Sequence, residues 1–232
     1  MNPKHKLNMF EYSDARASGY DKNYTGSGPA SISDPNAYRE EVSTISRLLP
    51  NYIGAEHIDL ACGTGFWLQF YEKNCHSITL IDQSETMLSE CSQKIKKLGT
   101  KSKVQIICDD LFKYPFEQNR YDSALIGFLI SLMTKSEERD FFNILKRILR
   151  PGGIFIIIDS IWSKERAATY SKIGIQKRML NDGREFEIYK RYFDKKDFDD
   201  LANKHKVNLT VIHEGRAFIA AAGSVAKLTA LE

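Results

Sequence analysis

Two glycines bracket a threonine at Gly63-Thr64-Gly65, directly after the apolar run in IDLACGTGFW. An acid, Asp82, closes the next apolar run, SITLID. A glycine turn after a strand lets the backbone come close to a ligand and opens a helix N-terminus, where unpaired amides collect. An acid ending the second strand can accept two hydrogen bonds from a ribose diol. Charge-assisted bonds of that kind contribute about 1.5–3 kcal/mol each. Alone, the turn is equally a tight connection with no ligand, and Asp82 equally a turn residue before a cap at Ser84. Together they point to a nucleoside site. The dinucleotide fingerprint GxGxxG would need a glycine where Leu68 stands, and no GxxxxGK[ST] run occurs, so the apparatus for a pyrophosphate is incomplete.

The elements that must position these residues are legible as an alternation from residue 56 onward. EHIDLA predicts a strand, Phe66 to Asn74 a helix, and SITLID a second strand. Ser84 caps a helix whose Met87, Leu88, Cys91, Ile95 and Leu98 share a stripe. VQIIC and YDSALIG predict strands three and four. Thr134 and Glu137 form a capping box for a helix that carries Phe141, Leu145 and Ile148. LRPGG reads as a stop before a fifth strand, IFIIID. Several of these strands are continuous apolar runs, the pattern of a parallel sheet covered on both faces. A polar helix over 162–175 is expected next, then two strand-like runs around Asn181-Asp182-Gly183, a hairpin signal. Asp194 caps a last helix, and two short strands joined at Gly215 end the pattern.

Before this core, residues 1–33 are rich in Ser, Gly, Asn and Tyr and read as a loose lid or arm. Asp34 and Pro35 then start a helix that Pro50 ends. The expected organisation is one domain over 1–232: lid and first helix in 1–50, core in 56–160, helix-hairpin cap in 161–193, and closing helix and strand pair in 194–232.

Bulk properties exclude several classes. The chain has 232 residues, 42% hydrophobic and 27% charged, as in an ordinary soluble enzyme. No apolar run reaches the roughly 18–20 residues that span a bilayer, and the N-terminus lacks the apolar stretch of a secretory signal. The four cysteines form no CxxC pair and read as reduced, mostly buried thiols in a cytoplasmic protein. A net charge of +3 is too weak to argue for nucleic acid. The lysines of KIKKLGTKSK read as a solvated helix end. No metal site is expected, and a monomer or homodimer is.

On these motifs the sequence resembles the class I S-adenosylmethionine-dependent methyltransferases of small-molecule type. IDLACGTGFW, TLIDQSETML, ICDDLFKYPF, YDSALIGFLISLM and LRPGGIFIIIDS resemble that family's motifs, in order. The resemblance implies a doubly wound, mostly parallel seven-stranded α/β sheet, with an N-terminal helical lid and a hairpin insertion after the fifth strand. It also implies that the glycine turn receives the amino acid end of S-adenosylmethionine, the product being S-adenosylhomocysteine. Carried over position by position, Ala61, Gly63 and Gly65 would line the methionine part, Asp82 would hold the ribose, and Gln83 and Met87 would flank the adenine. Asp110, backed by Leu111, would meet the adenine amine, with Asp109 a neighbouring candidate or a solvent-facing carboxylate. Gly127 and Phe128 would sit beneath the sulfonium. Tyr20 resembles a tyrosine of the lid, and Asp59 is expected to orient the glycine loop's amides.

Methyl transfer from a sulfonium is an in-line displacement by an already activated donor. Alignment alone can contribute roughly 7–11 kcal/mol, so no triad is required and none is visible. The segment after strand four reads IGFLISLM, without the (Asp/Asn)-Pro-Pro-aromatic run of related amino methylases of bases, and no Pro-Cys nucleophile occurs. A histidine that similar small-molecule members carry there is Leu132 here. The acceptor expected is an N or O atom of a small molecule, held among the lid, Trp162 and the hairpin residues Arg178, Tyr189, Arg191 and Tyr192; the alternatives are a macromolecular acceptor, a peptide N-terminus or RNA, and a protein that binds the donor without turnover. If those four converge they suit an anionic or aromatic molecule; otherwise they alternate toward water. Asp159 could reach the cleft or cap a helix, and His213 reads as a surface or packed residue rather than a base.

Overall fold

The computed structural model describes residues 3–28, 32–180 and 182–226. A short helix, α1 (Pro3–Ala15), leads into a 3-10 segment (Ala17–Thr25) and then α2 (Pro35–Leu48). The polar N-terminal stretch is thus helical rather than loose. Asp34 accepts from the Asn36 amide and Pro35 takes the first position of α2, where its missing N–H costs nothing.

The strands β1 (Glu56–Leu60), β2 (Ser77–Asp82), β3 (Lys103–Cys108), β4 (Tyr121–Gly127) and β5 (Leu149–Ser160) pair in parallel. Between them run α3 (Leu68–Tyr71), α4 (Glu85–Leu98) and α5 (Lys135–Ile148). The predicted caps are in place: Ser84 accepts from the Met87 amide, and Thr134 and Glu137 close their box. The helix expected over 66–74 is a single turn followed by a 3-10 turn. LRPGG is not a stop, because Leu149 already pairs with Tyr121 and an irregularity absorbs the proline before the ladder resumes at Ser123 and Ile154.

After β5 the chain forms α6 (Lys164–Ala167), a hairpin of β6 (Ile173–Met179) and β7 (Glu185–Arg191), then α7 (Lys195–His205), β8 (Asn208–Glu214) and β9 (Phe218–Ser224). The helix expected over 162–175 is only one turn long. Strand pairing of Ile173 with Arg191 overrides the local preference of the residues that follow it. Asn181 of the hairpin turn lies outside the described residues.

The main sheet has the order β3-β2-β1-β4-β5-β9-β8, with β9 antiparallel to both its neighbours. Its two faces are buried by different sets. Ile58, Leu60, Ala124, Ile126, Phe155 and Ile157 meet α5 and α7 on one side. Leu80, Leu125, Ile156 and Ile158 meet α2, Trp67 and Tyr71 on the other. The order reverses between β1 and β4, which places the ends of those strands at the crevice where such sheets bind ligands. Cys75 and Cys91 are buried, but Cys62 is half-buried and Cys108 exposed, so the thiols are less covered than expected.

Candidate active site

Two cavities lie at the carboxyl ends of the strands. The first, of about 210 Å³, is lined by Ala61, Gly63, Asp82, Gln83, Met87, Asp109, Asp110, Leu111, Gly127, Phe128 and Tyr20, with Ile81, Ser84, Phe112, Leu129, Leu132, Met133, Glu137, Met9 and Ser13. Every residue proposed for the donor from sequence lies here except Gly65. Gly65 has φ +68°, and a Cβ on it would stand 2.6 Å from Cys91 Sγ. It serves the close approach of α4 to the turn, not the cleft.

Asp82 holds the glycine turn in shape. Its Oδ2 accepts from the Gly63 amide at 2.8 Å and its Oδ1 from the Ser84 amide at 3.0 Å. A carboxylate has about four acceptor sites, so capacity for a diol remains. Burial raises its pKa, and these backbone bonds oppose that. Asp59 does not orient the loop as expected. It accepts from the Tyr71 hydroxyl at 3.1 Å, because its position in β1 faces α3 rather than the turn. Burial there pushes its pKa up to about 7. Gly63, at φ +54°, leaves a space in which an added Cβ would lie 3.9 Å from both Met87 Sδ and Tyr20 Cε1. That glycine-lined space and the free acceptor capacity of Asp82 fit the amino acid and ribose parts of S-adenosylmethionine. Asp110 accepts from the Phe112 amide at 3.0 Å, while Asp109 is exposed. Phe128 adopts φ +55° at the end of β4, a strained conformation for a bulky residue that turns its ring toward the cleft.

The second cavity, of about 120 Å³, adjoins the first. Tyr20, Phe128, Leu132, Met9 and Ser13 line both. It is roofed by Tyr12, Arg16, Asn23 and Tyr24 of the N-terminal segment and floored by Ser160 and Phe218. Arg166, Tyr38 and the hairpin residues Arg178, Ile188, Lys190 and Tyr192 complete it.

Of the hairpin residues expected here, Arg178 and Tyr192 line the cavity, whereas Tyr189 and Arg191 do not. Side chains alternate across a strand, and the inward set is Gln176, Arg178, Ile188 and Lys190, carried on by Tyr192. Arg191 instead reaches Glu138 at 2.6 Å and the Ile130 carbonyl at 2.9 Å. Trp162 packs against Tyr192 with tilted rings, centroid to centroid 5.7 Å, and does not line the cavity. Asp159 neither caps a helix nor opens on the cavity. It is fully buried, accepts from the Ser131 amide at 3.1 Å, and pairs with Lys190 at 3.2 Å. His213 contacts Glu41 at 3.1 Å, a packed histidine. Arg16, Arg166, Lys190, Tyr12, Tyr24 and Tyr38 were missed from sequence. The parity of Lys190 with Arg178 and Tyr192 was the available signal for one of them.

The N-terminal segment is tied over both cavities. Ser84 Oγ donates to Asp14 at 2.7 Å, and Thr86 donates to the same carboxylate. Thr64 donates to Asp21 at 2.6 Å, and Lys94 pairs with Asp21 at 2.6 Å. Lys94 is therefore an anchor of this segment rather than part of a solvated helix end.

Residues 58–153 match the family described as methyltransferase domain. Demethylmenaquinone methyltransferase of Bacillus cereus (strain B4264) is 30% identical over 130 residues, covering 53% of this chain and 51% of that protein. The chain thus spans about half the length of the curated relatives it matches. The solved structure "DhpI-SAM-HEP complex" superposes with a TM-score of 0.76 at 21% identity, covering 96% of this chain and 99% of that one. Burkholderia thailandensis 1,6-didemethyltoxoflavin-N1-methyltransferase, with bound 1,6-didemethyltoxoflavin and S-adenosylhomocysteine, superposes with a TM-score of 0.64 at 13% identity, over 97% of this chain and 90% of that one. Residues 58–153 are thus similar to a methyltransferase domain, and with its strand order, and its glycine turn and acid at the switch point, the chain has the fold of these S-adenosylmethionine-dependent methyltransferase neighbours.

Proposed function

We propose that the protein transfers a methyl group from S-adenosylmethionine to a small molecule held in the second cavity. The observation that carries this reading is that the two cavities share a wall at Tyr20, Phe128 and Leu132. A donor in the first and an acceptor in the second would face each other across it. When bound, S-adenosylmethionine supplies a methyl group on a sulfonium.

The chain's own residues do the holding and the aligning. Asp82 would accept from the ribose, Gly63 and Ala61 would admit the amino acid end, Gln83 and Met87 would flank the adenine, and Asp110, backed by Leu111, would meet its amine. Phe128 and Tyr20 close the wall around the transfer path. Burial pushes the Tyr20 hydroxyl up to about 12, so it stays a neutral donor. α1 and the 3-10 segment contribute Tyr12, Arg16, Asn23 and Tyr24 to the second cavity, and a site so covered would strengthen the electrostatic contacts inside as water leaves. A cavity of this size under such a roof suits a small acceptor rather than a polymer. The names of the relatives and neighbours above, which act on menaquinone and toxoflavin precursors, support that class.

Calorimetric titration with S-adenosylhomocysteine tests the reading, run beside Asp82→Ala. Micromolar binding that weakens at least tenfold in the variant is expected. No heat, and no competition by S-adenosylmethionine, would remove it.

A further inference from the structure

We propose that the acceptor carries an oxyanion, a phosphate, phosphonate or carboxylate, held by Arg16, Arg166 and Arg178, and that this oxyanion itself takes the methyl. The proposal rests on the methyltransferase reading above. Three guanidinium groups line the second cavity. Among the described residues, none of them pairs with a carboxylate. Arg178 is 3% exposed and Arg166 5%. Arg178 donates to the Lys177 carbonyl and the Tyr192 hydroxyl, both at 3.0 Å, and to Gln176. Arg166 donates to the carbonyls of Ile161 at 2.6 Å and Ala217 at 2.9 Å, while its Nε has no partner. Arg16 lies over the rings of Tyr12 at 4.6 Å and Tyr20 at 5.1 Å. These neutral partners satisfy hydrogen bonds but leave the charges uncompensated, and burying unpaired charge is costly. Lys190 is different, because Asp159 balances it at 3.2 Å. The missing counter-charge is supplied by what binds, and the planar fork of a guanidinium matches an oxyanion.

Among the described residues, the same cavity has no carboxylate, imidazole or thiol to act as a base. Its one amine, Lys190, already donates to Ser131 at 2.6 Å and to Asp159. An acceptor hydroxyl or ammonium would have to lose a proton there, whereas an oxyanion arrives without one. The acceptor oxygen's lone pair forms the new C–O bond, the C–S bond of the methyl sulfonium breaks with its electron pair going to sulfur, and no proton moves. One negative and one positive charge vanish, so a water-poor cavity favours the step. The ester product, one charge poorer, is held less tightly by the guanidiniums and can leave.

The test uses the full chain, with S-adenosylhomocysteine binding measured first. The loaded protein is titrated with inorganic phosphate, methylphosphonate and acetate, and with ethanolamine and phenol as controls. At least one oxyanion is expected to bind at millimolar concentration or below, and neither control to bind. Arg178→Gln is expected to weaken that binding at least tenfold, and Arg178→Lys to restore part of it. S-adenosylhomocysteine affinity should change less than twofold in both, which also reports that they fold. With a deuterated methyl donor, mass spectrometry should find the label as a methyl ester of the bound oxyanion. Oxyanion binding absent from the loaded protein, or unchanged in Arg178→Gln, overturns the proposal, as does label found on a nitrogen or hydroxyl. Loss of S-adenosylhomocysteine binding itself would instead take down the methyltransferase reading and this inference with it.

Discussion

Gly63 and Gly65 are two residues apart and do different work. Both need positive φ, at +54° and +68°. Alanine at such a φ costs roughly 1–2 kcal/mol from the backbone alone. At Gly63 the added methyl enters the cleft, so Gly63→Ala should weaken S-adenosylhomocysteine binding more than tenfold with a modest loss of stability. At Gly65 it collides with Cys91 Sγ, so Gly65→Ala should cost about 2–4 kcal/mol in chemical denaturation. Cys91→Ala in the same chain should recover part of that loss. Equal effects of the two single substitutions on binding and stability would contradict this division. Asp59 provides a pH test. Burial raises its folded pKa to about 7, above that of the unfolded chain. Its contribution is therefore complete below the unfolded value near 4 and lost as pH rises through 7. Asp59→Asn keeps an oxygen for Tyr71 and removes the titration. Relative to the original chain it should gain roughly 1–3 kcal/mol between pH 5 and pH 8 in urea unfolding.

At the scale of elements, the hairpin and the N-terminal segment build the second cavity beside the first at the carboxyl ends of the strands. The hairpin contributes one parity of its residues, and the N-terminal segment contributes the roof. α1 meets the hairpin through Tyr12 and Phe186, centroids 5.6 Å apart, and meets α4 through Asp14. If the ties over the cavities govern access, as the proposed function implies, loosening them speeds ligand release. Asp14→Asn combined with Asp21→Asn removes the charge from both ties while leaving the cleft lining intact. In stopped-flow measurements the double variant should release S-adenosylhomocysteine several-fold faster, with little change in the melting temperature. An unchanged release rate would mean that the ties do not control the roof.

The whole molecule is joined by a cluster around the buried Glu138, which lines neither cavity. Glu138 of α5 receives Arg191 from the hairpin, Lys204 and His205 from α7, at 2.6, 2.6 and 2.9 Å. Burial alone would raise its pKa, but these three partners outweigh it and hold it at about 2. A carboxylate depressed in this way stabilises the fold above its unfolded pKa near 4.5, and that stability fades as pH falls through about 2. Glu138→Gln leaves the buried Arg191 guanidinium without a counter-charge and should cost about 3–5 kcal/mol at pH 7. The gap from the original chain should close as pH falls from 4.5 toward 2. A constant gap over that range would show that packing, not charge, sets the cost.

Local chemistry was enough for much of this. The glycine turn, Asp82, the Ser84 and Thr134 caps and the runs of apolar residues are each specified by a few neighbours. They were legible in the sequence, and so was the doubly wound seven-stranded sheet; all the residues named for the donor except Gly65 line one cavity. Residue parity on the hairpin was not, because nothing local says which face of a two-stranded ribbon meets the sheet. That choice separated Arg178 and Tyr192 from Tyr189 and Arg191. Nor could spacing reveal that Arg16, Arg166 and Arg178 share a cavity, since the first comes from the N-terminal segment and the other two from separate elements, α6 and β6, that meet it only through packing. The sequence by itself determined the fold and where a nucleoside would sit, because both follow from short-range pattern. Only the tertiary structure decided what surrounds the acceptor. A cavity's charge is a sum over side chains that meet through packing, and packing is not written at any single position.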